Sequence, residues 1–97
     1  MHVLTSGKLA LYFTARSKSN GRLCIGVATA EDSSNPRDGF ADALGGCLVS
    51  NTLGAIDATF FKENSQDYLI WKIDGNSQGK PTPIMIQELD PSGTSFK

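Results

Sequence analysis

Short apolar runs, broken by clusters of glycine, asparagine, aspartate, serine and proline, set the pattern of this chain. "LALYFTA" (Leu9 to Ala15), "LCIGVAT" (Leu23 to Thr29), "AIDATFF" (Ala55 to Phe61), "DYLIWKI" (Asp67 to Ile73) and "PIMIQEL" (Pro83 to Leu89) are short and rich in β-branched or aromatic residues. Each ends at residues that tolerate positive φ or fix φ, as in "SNGR" and "DGNSQGKP", so the pattern predicts strands joined as antiparallel hairpins. The fold class is all-β. One segment competes: "DGFADALGG", Asp38 to Gly46, has an acidic start and a glycine stop, which predicts a single helical turn.

Laid against itself, the chain repeats. "LALYFTA", a glycine-containing turn and "LCIGVATAE" return as "YLIWKI", a glycine-containing turn and "PIMIQELD", at an offset of roughly 60 residues. A further strand candidate precedes each copy, "HVLTSG" before the first and "AIDATFF" before the second. Two related sheets of three or four strands are implied; the plainer alternative is that any two hairpins look alike at this level.

Composition narrows the picture. A chain of 97 residues with 39% hydrophobic content makes one small domain with a modest core. The net charge is −1 and the signs are scattered, so there is no basic footprint for nucleic acid or anionic lipid. No apolar run has the length of a membrane span, and "MHVLTSGKLA" lacks the basic end and apolar core of a secretory signal; the chain as written is expected to stay where it is made. The single histidine, His2, excludes a histidine-based triad or a two-histidine metal site within the chain. Cys24 and Cys47 are too few and too far apart to suggest a disulfide framework or a thiolate metal site, and Cys24 reads as a small buried thiol.

Two ligand loops can be tested on "DGNSQGKPTPIM" and both fail. As a calcium loop from Asp74, its fifth position is Gln78 and its twelfth, where a bidentate glutamate belongs, is Met85. As a phosphate loop its glycines are one residue too close, and Pro81 stands where a hydroxyl should be. The segment reads as a long hairpin loop, and neither a cofactor nor a metal is expected.

Asp57 is the unusual residue, an acid inside an apolar strand. Strict alternation over 55–61 places Ile56, Ala58 and Phe60 on one face and Ala55, Asp57, Thr59 and Phe61 on the other. Aspartate is depleted in strands, and out of water it needs donors or a counter-charge. On periodicity alone, Asp57 is either a solvated edge residue or part of a site.

"GKLALYFTARS", "IGVATAEDSSNP", "GAIDATFFKENSQDYLIW" and "IQELDPSGTSF" resemble, in the same order, a continuous section of the glycoside hydrolase family 43 catalytic domain. The loop "GNSQGKPTPIMIQELDPSG" is similar to fungal members in particular. The resemblance implies a partial five-bladed β-propeller of about two antiparallel blades, residues 1–53 forming most of one blade and 54–97 three strands of the next. It also implies inverting hydrolysis of arabinose- and xylose-containing plant polysaccharides, with a full-length relative expected to be extracellular. "GAIDATFF" is similar to the family's Ile-Asp-Pro motif, and Asp57 matches the aspartate that orients the general acid and raises its pKa. The base and the acid match no residue here, so the chain alone is expected to be inactive. Ala58 stands where the family has proline and Lys72 where glycine is common. Met1 falls just after the family's Trp-Ala-Pro-Asp position, which implies a piece of a longer domain. The expected partner is a pentose-containing oligo- or polysaccharide, with self-association through unpaired strand edges. A rival reading is a noncatalytic carbohydrate binder in which Trp71 or Tyr68 stacks on sugar.

Overall fold

A computed structural model describes residues 2–30 and 40–97. Its strands are β1 (His2–Val3), β2 (Leu9–Arg16), β3 (Leu23–Ala30), β4 (Ala41–Asp42), β5 (Ala55–Glu63), β6 (Gln66–Ile73) and β7 (Ile84–Glu88). They form a four-stranded sheet ordered β1-β2-β3-β4 and a three-stranded sheet ordered β5-β6-β7, antiparallel throughout. The all-β class and the two sheets agree with the sequence pattern, and each long predicted strand lies within about a residue or two of an observed one.

The sheets pack face to face. Ile25, Val49, Ala55, Leu69, Trp71 and Leu89 make the larger core cluster, and Leu4, Ala10 and Val27 a smaller one beside it. Tyr12, Leu48 and Phe60 touch both clusters and join them. Alternation explains this set: Ala10 and Tyr12 on β2, with Ile25 and Val27 on β3, face the second sheet, which answers with Leu69 and Trp71. The tail closes the stack where Gly93, at φ +72, accepts a 2.8 Å hydrogen bond from the Tyr12 hydroxyl. A β-carbon on Gly93 would lie 2.7 Å from a Leu4 methyl, so glycine serves both the turn and the close approach.

Three expectations change. Cys24 and Cys47 are joined in a disulfide, with a Cα–Cα distance of 5.9 Å. The span between them closes because Val49 returns beside β3, exchanging backbone hydrogen bonds with Ile25 and so carrying Cys47 alongside Cys24. The helical turn does not form over its described part: Ala41 and Asp42 extend along β3 instead, and Asp42 Oδ1 accepts from the N–H groups of Leu44 and Gly45, an Asx turn in place of a helix start. Asp38 and Gly39 lie outside the described residues. The alternation over 55–61 is broken by a bulge between Ile56 and Thr59.

The "DGNSQGKPTP" segment is a hairpin loop, as read. It holds one 3-10 turn, Asn76–Gln78, and its backbone closes on itself through Gly75, whose carbonyl accepts from Gln78 and Lys80. Lys80 and Pro81 pack so tightly on Gly75 that no β-carbon fits there.

Candidate functional site

The bulge that carries Asp57 builds the candidate site. Ile56 pairs with Lys72 and Thr59 with Ile70, so Asp57 and Ala58 together oppose Trp71 alone. The extra residue is absorbed by Asp57 at φ +57, a left-handed conformation that aspartate tolerates better than most side chains. One consequence is packing: Ala55, Ala58 and Phe60 all reach the inter-sheet core although strict alternation would separate Ala55 from the others. The second is aim. Asp57 projects to solvent on β5, the edge strand of its sheet, with its side chain 62% exposed and Oδ2 3.3 Å from Lys72 Nζ. An exposed pair of this kind contributes little stability.

Among the described residues the buried acid is Asp67. It is 2% exposed at the start of β6, and its carboxylate accepts from the Thr5 N–H at 2.9 Å and the Thr5 hydroxyl at 2.7 Å, from the turn between β1 and β2. This bond pair ties one sheet to the other. Nearby, burial and then the Asp67 charge raise the Tyr12 phenol above its ordinary range, so it stays a donor to Gly93. The sequence reading missed Asp67 as a buried group because it opens a strand just after a turn, a position where acids are usually solvated.

Of the two aromatics considered as sugar platforms, Trp71 is in the core, 8% exposed, its ring centroid 5.5 Å from that of Phe96. It offers no face to a ligand. Tyr68 is half-buried on the opposite face of the same strand, 5.8 Å from the exposed Phe61 ring. His2 stacks on Phe60 at 4.9 Å, and burial lowers its pKa. A cleft of about 540 Å³ lies on the outer face of the first sheet, around Phe13, Gly26 and the Cys24–Cys47 disulfide, rimmed by Arg16, Lys18 and Asp42. Asp57 does not line it. Among the described residues no three histidine, cysteine or acidic side chains converge in a way that could hold a metal ion, and no helix is long and apolar enough to cross a membrane.

Compared with protein-family models, with curated proteins and with solved structures, the chain matches none.

Proposed function

We propose that residues 1–97 are a section of a family 43-type glycoside hydrolase acting on arabinose- or xylose-containing polysaccharides, and that Asp57 is the carboxylate that modulates its general acid. The observation that carries this is Asp57 itself. It sits in the stretch that resembles the family's Ile-Asp-Pro motif, on a bulge of an edge strand, at φ +57. A non-glycine residue held in this region costs of order 1 kcal/mol, and such strain collects at functional sites. Two antiparallel sheets packed face to face are compatible with two neighbouring blades of a propeller.

The chemistry assigns Asp57 a supporting part. Inversion needs one carboxylate to activate water and one protonated carboxyl at the leaving oxygen, about 6.5–9.5 Å apart. A third, ionised carboxylate near that acid disfavours its deprotonation and so raises its pKa. In this reading the base and the acid come from polypeptide outside residues 1–97, and the chain alone hydrolyses nothing. Lys72, 3.3 Å from Asp57, offsets part of that charge and weakens the effect relative to a neighbour without an ammonium group.

The test is made on the native polypeptide that carries this chain. Asp57→Asn is expected to lower kcat on an aryl arabinoside or xyloside and to move the basic limb of the pH–rate profile to lower pH, because the acid then loses its proton more readily. An unchanged kcat and an unchanged basic limb contradict the assignment. Turnover by the isolated chain, abolished by Asp57→Asn, contradicts the placement of base and acid elsewhere.

A second reading is favoured by one observation, the Phe61–Tyr68 ring pair on an accessible face. It makes the chain a noncatalytic binder of pentose oligosaccharides. Isothermal titration with arabino- and xylo-oligosaccharides tests it: heat lost in Tyr68→Ala supports it, and no heat at millimolar ligand removes it.

A further inference from the structure

Each sheet presents, on its outward face, apolar side chains of the kind that the other sheet buries between them. Pairing registers align the hairpins: Tyr12 pairs with Val27 as Ile70 pairs with Ile86, and Thr14 with Ile25 as Lys72 with Ile84. In this alignment Ile25 and Val27, both 0% exposed against the second sheet, correspond to Ile84 and Ile86, which are 70% and 59% exposed on its far side. In the opposite direction, Leu69 and Trp71, at 0% and 8%, correspond to Leu11, 40% exposed, and Phe13 on the cleft of the first sheet. At Ile84 and Ile86 the far face of the second sheet therefore repeats the inner face of the first, with Lys72 and Glu88 flanking them where the first sheet has Thr14 and Thr29. The far face of the first repeats the inner face of the second.

Such surfaces are complementary to each other and not to themselves, and each is continuous in kind with an interface the chain already makes. Apolar patches of this sort on both ends of a stack mark contact sites, and stacked repeats bury them against neighbours. We infer that the chain associates head to tail with a second copy of itself. Ile84 and Ile86 of one copy seat against Leu11 of the next and against Phe13 in the cleft beside the disulfide, as within the chain Ile25 packs in one cluster with Leu69 and Trp71 and Val27 packs beside Phe60. Head-to-tail contacts are heterologous and extend until a ring closes. This places association on sheet faces, in addition to the strand edges considered from the sequence; it concerns residues 1–97 as a separate polypeptide, and its test does not read the role of Asp57.

Light scattering during size exclusion tests it with two variants, Leu11→Asp and Ile86→Asp, each spoiling one face at an already exposed position. The wild-type chain is expected at a multiple of 10.4 kDa. Either variant alone is expected at 10.4 kDa, and an equal mixture as a one-to-one pair of twice that mass, because each supplies the face the other lacks. A wild-type chain that stays at 10.4 kDa up to its solubility limit overturns the inference. So does a variant that keeps the wild-type mass by itself, since that requires a face that pairs with its own kind. A variant that melts without cooperativity is replaced by Leu11→Thr or Ile86→Thr and read in the same way.

Discussion

Removing the Asp67 carboxylate is expected to cost far more stability than its place at a strand start implies. It is 2% exposed and accepts two hydrogen bonds from Thr5, at 2.9 and 2.7 Å. A hydrogen bond to a charged group contributes about 1.5–3 kcal/mol net. Thr5 lies in an exposed turn, so water recovers part of its bonding once the carboxylate is gone, and the lower end applies to each bond. Asp67→Ala should then cost about 3 kcal/mol, and Thr5→Ala, which deletes only the hydroxyl bond, about 1.5 kcal/mol. The double variant should cost about as much as Asp67→Ala alone, leaving a coupling energy of about 1.5 kcal/mol. A small domain has about 5–10 kcal/mol in all, so the loss shifts the melting temperature by roughly 12–24 °C. Urea unfolding of the four proteins measures each value directly. A cost for Asp67→Ala below about 1 kcal/mol, or additivity of the two changes within about 0.5 kcal/mol, refutes the clasp between the sheets.

Two more outcomes follow from the structure. Reducing the Cys24–Cys47 bridge, or replacing both cysteines by serine, should lower stability by about 3 kcal/mol, as chain entropy gives for a 23-residue separation; thiol titration of the denatured, unreduced protein should find no free thiol, and two thiols would contradict the bridge. Asp57→Gly should leave the chain as stable or more stable by about 0.5–1 kcal/mol, because glycine adopts φ +57 without strain. A clear loss in urea unfolding would mean that the carboxylate serves the fold and not a site.

Much of the fold was legible in the sequence, for local reasons. The long strands announce themselves through β-branched and aromatic runs between turn residues, and the hairpin repeat through matching apolar positions. What escaped is non-local. The disulfide needs Val49 to return beside Ile25, which no spacing of two cysteines reveals. The clasp joins Thr5 to Asp67 across most of the chain. The helix signal in "FADALGG" lost to the open edge of β3, which offered Ala41 and Asp42 a ladder. The bulge escaped because alternation assumes that every residue takes extended φ and ψ, and Asp57 does not. One signal could have found it: an aspartate with an alanine after it, in a strand otherwise made of strand formers, is a residue type that tolerates the left-handed region at the one place it is out of character. The proposed function rests on resemblance alone, since a single exposed carboxylate has no catalytic geometry of its own.

The most direct measurement is an assay of the native polypeptide for pentoside hydrolysis, made on protein captured from its source with an antibody against residues 75–90, a largely exposed segment. Captured protein that releases aryl alcohol from an aryl arabinoside or xyloside, with the release lost in Asp57→Asn, is the predicted result. A captured polypeptide longer than these 97 residues that hydrolyses neither substrate, or one whose turnover survives Asp57→Asn, contradicts the assignment of Asp57 to a glycosidase site.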